Sequence, residues 1–164
     1  SVGGANVAIT HGDEKFLAGW GCSRENLSQK ARQDELNLWF KKRKFDVLAC
    51  THTCAPVAIA LDSGVVINNG AAGMPNFSGK LYGLITRIAI VPSKEAIYRA
   101  RLGEIYIEAL PVRYDAAEFL KWFDQIWQAQ SPAAISYRGR IANGSEGEIR
   151  DAMLGGFENI NGKI

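Results

Sequence analysis

Short apolar runs rich in β-branched residues follow one another closely in the first half of the chain, and they constrain the fold more than any other feature. Three of them cover Asp46–Cys50, Val57–Leu61 and Gly64–Ile67. Runs of this length and composition are typical of buried strands. The Asp62-Ser63-Gly64 sequence between the second and third runs predicts a tight hairpin turn. This region is therefore predicted to build a β-sheet.

Three further segments alternate between apolar and other residues with the period of two that is typical of strands. They cover Ala5–Thr10, Leu81–Ile90 and Glu104–Leu110. Because the strands in the middle of the chain follow one another without an intervening helix, we predict that this part forms a β-meander.

Helical spacing occurs in two segments, Ser28–Phe45 and Asp115–Trp127. The first ends in the basic run Lys41–Lys44, where cations complement the helix dipole; a nucleic-acid-binding patch is the weaker alternative. The second carries an apolar stripe that we expect to lie in the core. The members of that stripe are Phe119, Trp122, Phe123 and Trp127.

Two features near the end of the chain carry further expectations. Ser145 followed by Glu148 matches a capping box, which predicts a short last helix. The aromatic tail around Trp122–Trp127 and Tyr137–Arg140 can either cap a site or pack on the rest of the domain, and packing is favoured.

Charge and composition exclude several classes of protein. The 19 basic and 17 acidic residues leave a net charge of +2, which argues against a protein built around nucleic acid or an anionic membrane. The composition is 47% hydrophobic and 22% charged, as in ordinary folded domains. No apolar run is long enough to span a bilayer, and the first ten residues do not resemble a signal peptide. Three cysteines, an odd number, favour free thiols and a cytoplasmic location.

The two histidines, His11 and His52, each follow a predicted strand and precede small or polar residues. Ligands and catalytic groups gather at the carboxyl ends of strands in α/β folds, so a metal site is one interpretation and structural hydrogen bonding is the other. Cys50 and Cys54 flank His52 at alternate positions. A mononuclear zinc site on this segment and a Cys–His nucleophilic pair are weaker alternatives.

Three strings of the sequence occur in an order that resembles the calcineurin-like metallophosphoesterases. Ala8–Asp13 is similar to the strand of that family that ends in His-Gly-Asp. Asp46–Pro56 is similar to the strand that leads into its Gly-His-x-His-x-Pro turn. Val65–Pro75 is similar to its Asn-x-Gly-Ser-x-Gly loop. The resemblance covers residues 5–75.

Aligning the proline of the turn with Pro56 places His52 at the first histidine of the family motif. Cys54 then replaces the second histidine, and Thr51 replaces the glycine. In the loop motif Asn68 matches the asparagine, which implies a substrate-binding role, and Ala71 replaces the usual serine.

The resemblance implies a mixed α/β fold that is part of a four-layer αββα sandwich, with residues 1–110 in the sandwich and residues 111–164 as a helical C-terminal extension. It also implies a dinuclear centre of divalent transition metals, Mn, Fe or Zn, that activates a water for attack on a phosphate ester. By that analogy His11 and His52 are metal ligands and catalytic residues. Cys54 is a further ligand that would favour zinc or iron.

The chain lacks the Asp-x-His, Gly-Asp-x-x-Asp and Gly-Asn-His motifs of the first half of the family. We therefore expect the N-terminal half of the same phosphoesterase, as a separate chain or a missing segment, to complete the site, and the isolated chain to be inactive. The expected substrate is a phosphorylated small molecule. The alternative is an inactive scaffold or binding subunit; a homo-oligomer is possible under either hypothesis.

Overall fold

The apolar runs form two β-sheets accompanied by helices, in a computed structural model that describes residues 1–161. In chain order the elements are β1 (Val7–Ile9), α1 (Arg24–Leu27), α2 (Lys30–Arg43), β2 (Val47–Cys50), β3 (Val57–Leu61), β4 (Gly64–Asn68), β5 (Gly83–Ala89), β6 (Tyr98–Leu102), β7 (Ile105–Val112), α3 (Ala116–Ile126), α4 (Pro132–Asn143), a 3-10 helix (Ile149–Ala152), β8 (Met153–Gly155) and β9 (Glu158–Asn159). Within residues 1–161 no helix has the length and apolar character needed to cross a membrane.

The first sheet has the strand order β1-β2-β4-β3-β8. β1, β2 and β4 are parallel, with Val7 beside Val47 and Val47 beside Val65. β3 runs antiparallel to β4 through the turn at Asp62 and Ser63, which confirms the predicted hairpin. Because β1 and β2 are parallel neighbours, the residues that follow them meet at the same end of the sheet.

The second sheet has the order β5-β7-β6-β9, and its strand pairs are antiparallel. The predicted β-meander is wrong, because the strands in the middle of the chain divide between two sheets and β5 pairs with β7 rather than with β6. β6 was not predicted, since Arg99 and Arg101 interrupt its apolar character. Alternation along the sequence identifies a strand but does not specify its partner.

The main core lies between the two sheets, and a second core lies between α2 and the first sheet. The resulting order of layers is helix, sheet, sheet, which confirms the predicted mixed α/β class as part of a sandwich. Side chains of the first sheet in the main core include Val47, Val65 and Ile67, and those of the second include Leu84, Ile105 and Ile107. The second core includes Leu36 and Phe40 of α2 with Leu48 and Val66.

Helices α3 and α4 pack on each other through a small core of Phe123, Ala134 and Ile141. The prediction that the aromatic stripe of α3 lies in the core is wrong for two of its members, because Trp122 is 51% and Trp127 is 44% exposed. In α3, Phe123 is the buried residue, and Phe119 is partly buried beside it.

The predicted capping box near the end of the chain is displaced by three residues. Glu148 is the N-cap of the 3-10 helix, and the carboxylate of Asp151 accepts a hydrogen bond from the Glu148 backbone N–H at 2.8 Å. Ser145 instead donates its hydroxyl proton to the carbonyl of Asn76 at 2.6 Å. The prediction missed this because a serine three residues before a glutamate marks a cap only where a helix follows directly.

The predicted extension, residues 111–164, is more than a helical addition. β7 runs to Val112, so the proposed boundary after residue 110 falls inside a strand. After α4 the chain returns to the sandwich, where β8 pairs with β3 and β9 pairs with β6. Residues 162–164 of the extension lie outside the described residues.

Candidate metal centre

Two histidines lie side by side at one end of the first sheet. His11 follows β1 and His52 follows β2, and Nε2 of His11 lies 3.0 Å from Nδ1 of His52. The pairing of the strands continues beyond their ends, because the Thr51 N–H donates to the carbonyl of His11 at 3.1 Å. The parallel pairing thus brings together two imidazoles that are 41 positions apart in the sequence.

The segment from Thr51 to Pro56, here called the His52 loop, has an unusual backbone. The φ angle is 70° at His52 and 56° at Cys54. Both values lie in the left-handed region, which residues with a Cβ atom rarely adopt. Such strain persists only where the surroundings hold it, and it is concentrated at functional sites.

Asn68, predicted to bind substrate, is fully buried beneath the His52 loop. Its amide nitrogen donates to Thr53 Oγ1 at 2.9 Å and to the carbonyl of Cys22 at 3.0 Å, and its amide oxygen accepts from the Gly70 N–H at 2.9 Å. Both amide N–H groups of Asn68 thus donate to other parts of the protein, and one of these hydrogen bonds holds Thr53 in place. Its contact with substrate stays a prediction.

Cys54, predicted as a further ligand, is exposed. Its thiol lies 3.5 Å from the carbonyl of His52, to which it can donate. Within residues 1–161 no group of three or more His, Cys, Asp or Glu side chains is placed where it could hold a metal ion. The described residues therefore bring two of the three predicted ligands, His11 and His52, into contact.

The two imidazoles fit one part of a metal site. Metal bonds to imidazole nitrogen are about 2.0–2.1 Å long, so two ring nitrogens 3.0 Å apart are close enough to bind one ion after a small movement. A catalytic zinc site takes at least three protein ligands. The pair would thus be two ligands of a larger set.

Asp13 of the His-Gly-Asp string is hydrogen-bonded to backbone groups of the loop that follows His11. It is buried, and its carboxylate accepts hydrogen bonds from the N–H groups of Lys15, Phe16 and Gly21 at 2.8–2.9 Å. Burial opposes ionisation of this carboxyl, but the three N–H donors and the charge of Arg32 outweigh burial and lower its pKa below the ordinary value. Asp13 therefore organises the loop that follows His11.

That loop carries Trp20 to the histidine pair. The indole ring lies edge-to-face with the ring of His52 at a centroid distance of 5.5 Å. Arg32 of α2 fastens the loop through two hydrogen bonds to the carboxylate of Glu14, at 2.8 and 2.5 Å. Trp20 is 59% exposed, and its ring contacts one side of His52.

The sequence did not predict the contacts that Asp13, Trp20 and Arg140 make around this site, although Asp13 belongs to the His-Gly-Asp string and Arg140 to the aromatic tail. The glycines at positions 12, 19 and 21 are the sequence signal for a tight loop around Asp13. Trp20 contacts the ring of His52, and Arg140 donates to the carbonyl of Cys54 at 2.8 Å; no local pattern marks such contacts between distant segments.

The fold is similar to that of a solved metallophosphoesterase from Sphaerobacter thermophilus, with a TM-score of 0.52 and 14% identity over 86% of this chain and 57% of that chain. It is also similar to a hypothetical protein from Pyrococcus horikoshii OT3, with a TM-score of 0.50 and 10% identity over 86% of this chain and 47% of that chain. No protein-family model matches the sequence, and no curated protein sequence is similar to it. The chain spans about half the length of the solved structures that it matches, and it shares the fold of part of a metallophosphoesterase.

Proposed function

We propose that the chain supplies the histidine-bearing half of a metal-dependent phosphoesterase, a hydrolase that cleaves a phosphomonoester or phosphodiester of a small molecule. One observation carries the proposal: His11 and His52 converge at the ends of adjacent parallel strands in a fold similar to that of a metallophosphoesterase. The strained backbone of the His52 loop supports it, since such strain is concentrated at functional sites.

His11 would bind a metal through Nε2 and His52 through Nδ1, each as a neutral imidazole. Divalent Mn, Fe or Zn ions held there would supply positive charge to polarise a phosphate ester and to lower the pKa of water. Cys54 is the third ligand that we propose, and a sulfur ligand favours zinc or iron over magnesium. Trp20 packs against His52 and limits the orientations of its ring.

The remaining ligands would come from the N-terminal half of the same phosphoesterase. β1 and β5 are end strands of the two sheets, and an apolar cleft of about 480 Å³ lies between them, lined in part by Val7, Ile9 and Ile88. The hydroxyls of Thr10 and Thr86 in this cleft are buried and have no hydrogen-bond partner within the described residues. Unpaired end strands beside an apolar cleft suit a polypeptide that adds strands to both sheets.

The test is a titration of the 164-residue chain with Co²⁺, whose visible absorption reports its ligands. We expect His11→Ala and His52→Ala each to weaken binding by at least about 10-fold, because each removes one of two neighbouring imidazoles. Asp124→Asn is the matched control, since its carboxylate is paired with Arg138 in the α3–α4 region.

In the same titration Cys54→Ser should remove any sulfur-to-cobalt absorption band while the imidazole contribution remains. A wild-type chain that binds Co²⁺ equally well after both histidines are replaced contradicts the proposal.

An inactive scaffold or binding subunit is the second candidate function. Thr51, Cys54 and Ala71 stand where the family has other residues, which favours a site that has lost its chemistry. This candidate requires a folded, monodisperse chain without transition metal. Sedimentation of the purified chain together with metal analysis distinguishes the two candidates.

A further inference from the structure

Arg140 extends from α4 to the His52 loop. Its Nη2 donates to the carbonyl of Cys54 at 2.8 Å and lies 3.3 Å from Asn76 Oδ1, and its Nε donates to the carbonyl of Pro75 at 2.6 Å. Cys54 precedes Arg140 by 86 positions. One guanidinium therefore joins the C-terminal helices to two separate loops of the sandwich.

The second of these loops, residues 70–77, is organised by Asn76 and is here called the Asn76 loop. The side chain of Asn76 is almost fully buried, and it exchanges hydrogen bonds with both the N–H and the carbonyl of Ala71, at 2.8 and 2.7 Å. The hydroxyl of Ser145, which follows α4, donates to the Asn76 carbonyl at 2.6 Å. The C-terminal segment thus holds Asn76 from two sides.

The Asn76 loop and the His52 loop are packed tightly together. Gly70 has a φ of 72°, and a Cβ atom at this position would lie 2.4 Å from Asn76 Oδ1 and 2.8 Å from the nitrogen of Pro56. The hydroxyl of Thr51 donates to the carbonyl of Gly70 at 2.8 Å. A change in the position of Asn76 would therefore move the His52 loop as well.

The Cys54 carbonyl is the point at which the His52 loop depends on Arg140. Cys54 lies outside the strands and has a left-handed φ angle, so its carbonyl does not take part in a sheet ladder and accepts from Arg140 instead. Asn68 supports the loop from the buried side through Thr53. Arg140 holds the loop at the Cys54 carbonyl, and the charge of its guanidinium strengthens the hydrogen bonds that it donates.

We infer that Arg140 is a positioning residue for the candidate metal centre. It acts through the backbone of Cys54 and through Asn76 to hold the His52 loop in its strained conformation, and so it sets the orientation of the His52 imidazole and the Cys54 thiol. Under this inference α3 and α4 are part of the site rather than a peripheral addition. Its consequence for metal affinity rests on the proposed function, whereas its consequence for the His52 ring does not.

The test compares Arg140→Met with Arg138→Met in the 164-residue chain. Arg138 is the matched control, because it lies two residues earlier on the same helix and pairs with Asp124 rather than with the loops. The first readout is the set of ring ¹⁵N and ¹H resonances of His11 and His52. The second is the Co²⁺ dissociation constant.

We expect Arg140→Met to shift the His52 resonances and to weaken Co²⁺ binding about 10- to 100-fold, which is the range found for residues that orient metal ligands. Arg138→Met should change neither. Arg140→Lys keeps the charge but offers fewer donors, so it should give an intermediate shift of the His52 resonances. If Arg140→Met does not fold, the comparison between Arg140→Lys and Arg138→Met decides the question.

The inference would be overturned if a folded Arg140→Met chain had the His52 resonances and the Co²⁺ affinity of the wild type, even if its melting temperature were lower. A Co²⁺ affinity that His11→Ala and His52→Ala leave unchanged contradicts the proposed function alone, because the His52 resonances still test the role of Arg140.

Discussion

Two clusters of polar side chains in this protein have opposite characters. Glu108 of β7 is fully buried, and its carboxylate accepts hydrogen bonds from Arg87, Arg99 and the Ser93 N–H at 2.5–3.0 Å. By contrast, His11 is exposed and His52 is half-buried. Their ring nitrogens face each other, and within the described residues no third metal ligand lies beside them.

This difference indicates which cluster stabilises the fold and which cluster can bind a ligand. A buried carboxylate with two guanidinium partners has no capacity left for a ligand, and the loss of one partner leaves an uncompensated charge. The histidine pair has an exposed side and a strained backbone that no sheet requires. We therefore expect Glu108 to stabilise the fold and the histidines to serve the function proposed above, and the following predictions test that division.

The largest effect on stability is expected for Glu108→Gln. This change leaves Arg87 and Arg99 without their buried counter-charge, and we expect the free energy of unfolding to fall by about 3 kcal/mol or more. Urea denaturation measures it. Glu104→Gln, an exposed residue before β7, is the control and should change stability by less than about 0.5 kcal/mol. Equal stabilities of the two variants would remove the distinction between the clusters.

The next effect concerns the left-handed backbone of His52, and it is measured as the difference in stability between His52→Gly and His52→Ala. Both variants lack the imidazole, but glycine adopts a φ of 70° without the steric cost that alanine incurs. We expect the glycine variant to be more stable to urea than the alanine variant by about 1 kcal/mol. A glycine variant that is less stable than the alanine variant would show that the left-handed backbone at His52 is not strained.

The smallest effect is the response of the Asp13 loop to acid. The pKa of Asp13 is lowered by folding, so its contribution to stability is complete above its unfolded pKa, about 3.9, and is lost as the pH falls through the lower folded value. We expect Asp13→Asn to be less stable than wild type at pH 7, and the gap to narrow below about pH 4. Thermal unfolding across this pH range measures the difference in stability between the two proteins. A difference that does not change with pH would exclude a role for the charge of Asp13.

The sequence allowed some features to be predicted and hid others for physical reasons. Strand-end positions identified His11 and His52, since the carboxyl ends of adjacent parallel strands meet whichever residues lie between them. The arrangement of the strands was not predictable from alternation. β5 pairs directly with β7, although β6 lies between these two strands in the sequence. Helix α4 was missed although Ser131 and Pro132 form a regular start, with Ser131 as N-cap and Pro132 at the first helical position.

The site itself depends on contacts that no local pattern contains. Arg140 meets Cys54 across 86 positions, and Trp20 meets His52 only because the loop after His11 folds around Asp13. The motif resemblance located the His52 loop but did not indicate what holds it. These contacts follow from the packing of whole elements, which single-sequence reasoning does not resolve.

We propose that the chain is one half of a two-metal phosphoesterase, and the most direct test of this proposal is an intact-mass and metal analysis of the protein isolated from its native source. We expect the histidine-bearing segment to occur with an N-terminal half, either as a second polypeptide or within a longer chain, and with about two transition-metal ions per assembly. Hydrolysis of phosphate esters by that assembly should be lost in His11→Ala and His52→Ala. A folded, metal-free species of 17.9 kDa that occurs alone would contradict the claim and favour the scaffold.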